Sequence, residues 1–209
     1  MKRLGIFGGT FDPIHIGHLI KAQAVKESLN LDKIIFVPNG NPPHKNNTKA
    51  TQFHRLDMLK LAIDDNKDFE LFDIEINKTK NYTVNTIQSL KKIYPNDELF
   101  FIMGTDSIIN LKSWYKYEKL LTLCNFAIIT RVIFESVNSE KKLYNESELK
   151  LWIQKDLNTN IEKFFFIDSP LVEISSTKIR ENLSKNLSVK YFVPDKVLEY
   201  IYEKKIYLV

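Results

Sequence analysis

The sequence predicts an α/β fold, a doubly wound parallel sheet of about five to six strands with helices on both faces and a C-terminal helical extension. Two observations predict it. Short apolar runs recur along the chain, and they are nearly continuous rather than alternating, as strands covered on both faces should be. Segments of helical length separate them, which is the strand–helix alternation of a parallel, Rossmann-like sheet. Right-handed crossovers then bring all strand C-terminal ends to one edge, where ligands bind.

The elements follow in order. LGIF (4–7) is the first strand, and Gly8 and Gly9 fall at its turn into a helix over 17–30. IIFVP (34–38) is the second strand. It is followed by a long polar loop, NGNPPHKNNTKATQ (39–52), and a helix over 52–64. Loops of that length inside a packed fold tend to be functional or disordered. FELFDI (69–74), LFFIMG (99–104), FAIIT (126–130) and FFFID (164–168) are the remaining strands, with helices over 83–94, 107–121 and 146–157 between them. The tail adds SSTKIRENL (175–183), with Ser and Thr at capping positions, and VPDKVLEYIYEKKIY (193–207), which opens on Pro-Asp. No repeat, low-complexity tract or linker interrupts the chain, so residues 1–209 read as one domain. Within it, 131–160 is polar and irregular, a peripheral insertion, and 170–209 is a C-terminal helical part.

Composition narrows the function. Of 209 residues, 44% are hydrophobic and 27% charged, an ordinary balance for a globular chain. The 30 basic and 26 acidic residues leave a net charge of +4, with Lys scattered rather than clustered. That fits a small anionic substrate at least as well as a nucleic acid, which would favour a basic stripe. The one cysteine, Cys124, cannot form an internal disulfide or a redox pair, and a reducing cytoplasm is the expected compartment. Gly-Gly and Asp-Pro break the opening MKRLGIFGGTFDP too early for a signal peptide, and no run approaches the roughly 18 apolar residues of a membrane helix.

Two of the 4 histidines lie in GIFGGTFDPIHIGH (5–18). Glycine permits close backbone approaches that a Cβ would block. His15 and His18 are three apart at a helix start, so one turn puts both on one face. There the free N–H groups and the macrodipole favour anions, and imidazole N–H can donate to phosphate oxygens. The stretch lacks the third glycine of Gly-x-Gly-x-x-Gly and the Lys-Ser/Thr of a Walker A loop, which argues against a hydride-transfer cofactor and a P-loop. Two histidines without a cysteine partner fall short of a structural zinc site. Asp12, before Pro13, is expected to shape the turn. EISSTKIRENL (173–183) offers a second anion site. Ser175, Ser176 and Thr177 stand at a helix start, and Arg180 lies one turn on from Thr177. Other polar residues read plainly: His54 as surface, Lys91–Lys92 and Lys204–Lys205 as solvated helix faces, and Phe164 to Phe166 as core strand.

GGTFDPIHIGH resembles the signature of the nucleotidylyltransferase superfamily, and EISSTKIREN is similar to its Ile-Ser-Ser-Thr-x-Ile-Arg element. His-Ile-Gly-His also resembles a signature of class I aminoacyl-tRNA synthetases, whose Lys-rich second element is not matched. VPNGNPPHK (37–45), NYTVNTI (81–87), GTDSIINLKSWYKYEKLL (104–121) and the closing DKVLEYIYEKKIY resemble segments of the bacterial nicotinate-nucleotide adenylyltransferase family. The likeness runs from residue 3 to 207 and is weakest over 131–160. Arg-Val-Ile stands at 131–133 where Arg-Pro-Gly is frequent, and Asn81 precedes Tyr82 where serine is commoner.

The resemblance implies transfer of AMP from ATP to nicotinate mononucleotide, giving deamido-NAD and pyrophosphate. It implies His15, His18 and Arg180 as catalytic residues. It implies Gly8, Gly9, Thr10, Phe11, Asn39, His44, Lys45, Gly104, Asp106, Arg131, Ser175, Ser176 and Thr177 at ATP. Tyr82, Thr83, Trp114 and Tyr115 would hold the pyridine mononucleotide. Mg²⁺ would accompany ATP through phosphates and water, with no protein side chain as ligand. No nucleic acid or membrane partner is implied, and a homo-oligomer is compatible. Nicotinamide mononucleotide or phosphopantetheine is the alternative acceptor. A phosphopantetheine enzyme of this superfamily usually has Thr in place of His15 and is shorter. A nucleic-acid-binding module is the reading from another class.

Overall fold

A computed structural model describes residues 1–40, 48–78, 81–129, 135–137, 140–142 and 146–208, the two short stretches 135–137 and 140–142 by backbone alone. The chain runs β1 (Arg3–Gly9), α1 (Ile16–Ser28), β2 (Lys33–Pro38), α2 (Gln52–Ile63), β3 (Phe69–Leu71), α3 (Thr83–Ile93) and β4 (Glu98–Gly104). It continues through α4 (Thr105–Ile109), α5 (Tyr117–Leu123), β5 (Asn125–Ile129), the strand pair β6 (Glu135–Val137) and β7 (Glu140–Lys142), and α6 (Glu146–Asp156). β8 (Phe164–Ile167), α7 (Ser176–Ser184) and α8 (Asp195–Glu203) complete it.

Six strands form one sheet in the order β3-β2-β1-β4-β5-β8, and every neighbouring pair is parallel. The apolar strands alternate their side chains between two cores. Phe7, Phe36 and Phe100 face one side, with Val25 of α1, Met58 of α2, Ile179 of α7 and Val197 of α8. Ile6, Ile35 and Phe101 face the other, with Ile87 of α3, Leu120 of α5 and Ile153 of α6. Each buried side chain of this size is worth about 1.5–3 kcal/mol, which explains why the strands carry no polar alternation. β1 leads to β2 on one side, whereas β4 and β5 build outward on the other. The C-terminal ends of β1 and β4, at Gly9 and Gly104, therefore flank the switch point where such sheets bind ligands. Among the described residues no helix is long and apolar enough to cross a membrane.

Three elements depart from expectation. The helix expected over 107–121 breaks into α4, a 3-10 turn at Leu111–Ser113 and α5. The Asn110 side chain donates to the Asp106 carbonyl and Ser113 Oγ to the Asn110 carbonyl, so side chains compete with the helical ladder. Lys116 then turns left-handed at φ 53°. The run 69–74 is a strand only to Leu71. Part of the 131–160 stretch is not peripheral: α6 buries Leu149 and Ile153 in the second core and forms the crossover from β5 to β8. His54 is half-buried rather than a plain surface residue, and its Nδ1 lies 3.0 Å from the Tyr200 hydroxyl. That hydroxyl also donates to Asp57 at 2.8 Å and pins α8 against α2.

Candidate active site

The turn after β1 is built differently from its glycine-rich appearance. Gly8 and Gly9 still belong to β1, paired with Val37 and Pro38, and neither takes a positive φ. Phe11 makes the reversal at φ 49°, followed by a cis Asp12–Pro13 peptide. Gly9 is required for space, because a Cβ there would lie 2.7 Å from the Phe11 ring. That ring is buried edge-on against Phe7 and His18. Phe11 can therefore offer a ligand only its main chain.

His15 is the N-cap of α1 and His18 lies in its first turn. Their rings lie 3.7 Å apart between centroids at a tilt of 31°, with His15 in the extended backbone of the cap. His15 is buried and His18 half-buried. The His15 N–H donates to His18 Nδ1 at 3.3 Å. That bond selects the neutral tautomer with its proton on Nε2. The first amide of α1 is taken: Ile16 N–H donates to the Phe192 carbonyl at 2.9 Å.

α7 packs onto this same turn. Arg180 Nη1 donates to the Asp12 carbonyl at 2.7 Å, and Ser176 Oγ donates to the Pro13 carbonyl at 2.9 Å. Arg180 Nη2 reaches Thr177 Oγ1 at 3.4 Å. Ser175 Oγ accepts the Lys178 N–H as the helix cap. The structure thus brings His15, His18, Thr177 and Arg180 to the two flanks of one turn. The hydroxyls of Ser175 and Ser176 hold backbone groups of the protein itself.

Two residues organise this turn. Asp12 shapes it, as its place before proline suggests, and its reach is wider. Its Oδ2 accepts the Lys49 N–H at 2.9 Å. Its Oδ1 accepts Ala50 N–H at 3.1 Å and the Tyr207 hydroxyl at 2.7 Å. Arg55 belongs to no motif in the sequence. It is 1% exposed. Its guanidinium donates to the carbonyls of Thr10, Asn39 and Gly40 at 2.6, 2.7 and 2.6 Å. Burial lowers its pKa from the ordinary value, and the nearby Asp12 charge opposes that shift. A signal was present in the sequence. Arg55 shares the buried face of α2 with Met58, Leu59 and Ala62, where a charge needs a partner.

The aromatic residues around the α3 start lie two links away. Asn39 N–H donates to the Gly9 carbonyl at 2.8 Å, joining the β2 loop to β1. Gly40 then packs so closely on the loop before α3 that a Cβ would sit 2.1 Å from the Glu75 carbonyl oxygen. Asn81 Nδ2 donates to that same carbonyl. Buried Glu75, its pKa raised by burial, accepts the Thr86 hydroxyl within α3. Tyr82 and Thr83 stand at the start of α3. Tyr82 stacks on Tyr115 at 4.4 Å. Tyr115 is exposed, while Trp114 packs edge-on against Phe101 in the core. Gly104 ends β4, and a Cβ there would lie 2.5 Å from Asp106 Oδ1. His44, Lys45 and Arg131 lie outside the described residues.

An open parallel sheet with two helix starts converging on the turn after β1 fits a nucleotidyltransferase, and residues 6–182 match the cytidylyltransferase-like family. The nicotinate-nucleotide adenylyltransferase of Bacillus subtilis is 42% identical over 209 residues, covering 99% of both chains. A probable nicotinate-nucleotide adenylyltransferase of Shewanella frigidimarina is also 42% identical, over 98% of this chain and 99% of its own. Among solved structures, Plasmodium falciparum nicotinic acid mononucleotide adenylyltransferase complexed with NaAD superposes with a TM-score of 0.76 at 24% identity, covering 99% of this chain and 98% of that one. The chain belongs to the nicotinate-nucleotide adenylyltransferase family.

Proposed function

We propose that the protein transfers AMP from ATP to nicotinate mononucleotide in NAD biosynthesis. The observation that carries the site assignment is the meeting of the His15–His18 pair and Arg180 around one turn. The attacking group is the acceptor's own 5′-phosphate, ionised at neutral pH. Its oxygen bonds to the α-phosphorus as the bond to the β-phosphate breaks, and pyrophosphate leaves. No protein nucleophile is needed, so catalysis is alignment plus charge stabilisation.

His18 faces the α-phosphate with its Nε2 proton, backed by the stacked His15 ring. Main-chain groups of Gly8 to Phe11 line the same phosphates. Thr177, Arg180 and the α7 start hold the β- and γ-phosphates. Asn39, His44, Lys45 and Arg131 are assigned to the ATP side, and Gly104 and Asp106 to adenine and ribose. Mg²⁺ comes with the triphosphate, whose oxygens and water are its natural ligands. Asp12, the carboxylate beside the turn, already has both oxygens taken by hydrogen bonds.

Pyrophosphate release with ATP and each mononucleotide in turn tests this reading. Backbone N–H and Thr83 hydroxyl donors suit a carboxylate and oppose an amide N–H₂. The expected result is a higher kcat/KM for the nicotinate than for the nicotinamide form, and equal values contradict the assignment. Replacing Tyr115 by Ala removes one face of the Tyr82–Tyr115 stack. It is expected to raise KM for the mononucleotide roughly tenfold with KM for ATP nearly unchanged. Steady-state kinetics in both substrates reads the split, and equal changes in the two KM values would remove Tyr115 from the pyridine side.

A further inference from the structure

The tail beyond α8 returns to the phosphate turn. α8 ends in a Schellman motif, with Lys205 left-handed at φ 52°. Ile206 N–H bonds the Ile201 carbonyl and Lys205 N–H the Tyr202 carbonyl. Ile206 is buried as the apolar contact of that motif. Tyr207 follows, half-buried, also left-handed at φ 66°. This reversal aims its hydroxyl at Asp12 Oδ1, 2.7 Å away. Burial and the adjacent Asp12 carboxylate push that hydroxyl well above the ordinary tyrosine range, so it stays a donor.

Asp12 stands between this hydroxyl and Arg180. The guanidinium is bonded to the Asp12 carbonyl at 2.7 Å but only 3.8 Å from Oδ2. The carboxylate is therefore turned toward Tyr207, Lys49 and Ala50 rather than closed on Arg180 as a full ion pair. We infer that Tyr207 is a positioning residue for Arg180: by holding the Asp12 carboxylate it keeps the guanidinium available to an anionic ligand. Without the hydroxyl, Oδ1 loses its shortest donor and the carboxylate can close on Arg180, which then competes with the polyphosphate. The inference rests on the phosphate-binding role proposed above for Arg180.

A double-mutant cycle of Tyr207→Phe and Arg180→Ala tests it. Tyr207→Phe removes one oxygen and keeps the ring. It is expected to lower kcat for pyrophosphate release about tenfold, with KM for the mononucleotide within about twofold. In the Arg180→Ala background the same change is expected to cost less than about twofold. A folded Tyr207→Phe protein with unaltered kcat, or equal losses in both backgrounds, overturns the inference, since a merely structural tyrosine gives no coupling. If Tyr207→Phe melts below assay temperature, Tyr207→His replaces it as a ring that keeps an N–H donor. The expectation is then a kcat within about threefold of the unaltered chain, and a tenfold loss overturns the inference. Binding of α,β-methylene-ATP, which needs no acceptor, is measured on the same proteins. Failure of the unaltered chain to release pyrophosphate refutes the acceptor assignment alone, whereas additive losses in analogue binding refute the role of Tyr207.

Discussion

Replacing His18 by Ala is expected to lower kcat by about 10²–10³, the usual loss on removing one donor aimed at transition-state charge, with a smaller change in ATP affinity. If His18 has the role proposed for it, the geometry accounts for the asymmetry. His18 is held at the start of α1 by its own Nδ1 bond to the His15 amide and by edge contacts with Phe7 and Phe11. Its ring is thus set before substrate arrives, and its Nε2 proton needs no rearrangement to meet charge that grows on the α-phosphate. Ground-state affinity is proposed to be spread over more groups, the main-chain donors of the turn and the α7 start among them. Loss of one imidazole changes that sum little. Steady-state kinetics of pyrophosphate release checks the expectation, and an unchanged kcat in a folded His18→Ala protein removes His18 from this role.

Much of the fold is legible because strand burial on both faces leaves a strong mark. Runs such as IIFVP and LFFIMG have no polar face, and they became β2 and β4. The His15–His18 pairing is legible because residues three apart across a helix start come close enough for their rings to meet. Features decided by distant contacts were not legible. The break between α4 and α5 depends on Asn110 and Ser113 bonding backbone carbonyls, a competition that helical periodicity does not register. The turn at Phe11 reads as a glycine feature in the sequence, yet the glycines remain in the strand and a buried phenylalanine makes the reversal. Its left-handed backbone is sustained by ring packing that only tertiary structure supplies. Tyr207 lies 195 residues from Asp12 and nothing local links them.

Arg55→Ala is expected to destabilise the protein by about 3–5 kcal/mol, because it leaves three buried carbonyls without their charged donor. Three main-chain carbonyls converge on this one guanidinium, from Thr10 after β1 and from Asn39 and Gly40 after β2. No small side chain can satisfy them. Lysine keeps the charge but concentrates its donors at one atom, so it cannot span the fork, and Arg55→Lys should recover only part of the loss. The consequence extends to the ligand side of the turn. A trans peptide points its N–H opposite to its C=O, and neither the Thr10–Phe11 nor the Asn39–Gly40 peptide is cis. Drawing the Thr10 carbonyl inward therefore turns the Phe11 N–H outward, and drawing in the Asn39 carbonyl does the same for Gly40 N–H. Arg55 thus fixes the peptides after Thr10 and Asn39 on two loops at once. For a chain of this size about 2–4 °C of melting temperature accompanies each kcal/mol, so thermal unfolding should fall by roughly 10 °C. A stable Arg55→Ala protein with an unaltered melting temperature would show that the carbonyls find other donors. The Arg55→Lys variant, assayed below its melting temperature, should bind ATP more weakly than the unaltered chain, because the outward amides lose their fixed direction before the fold itself is lost.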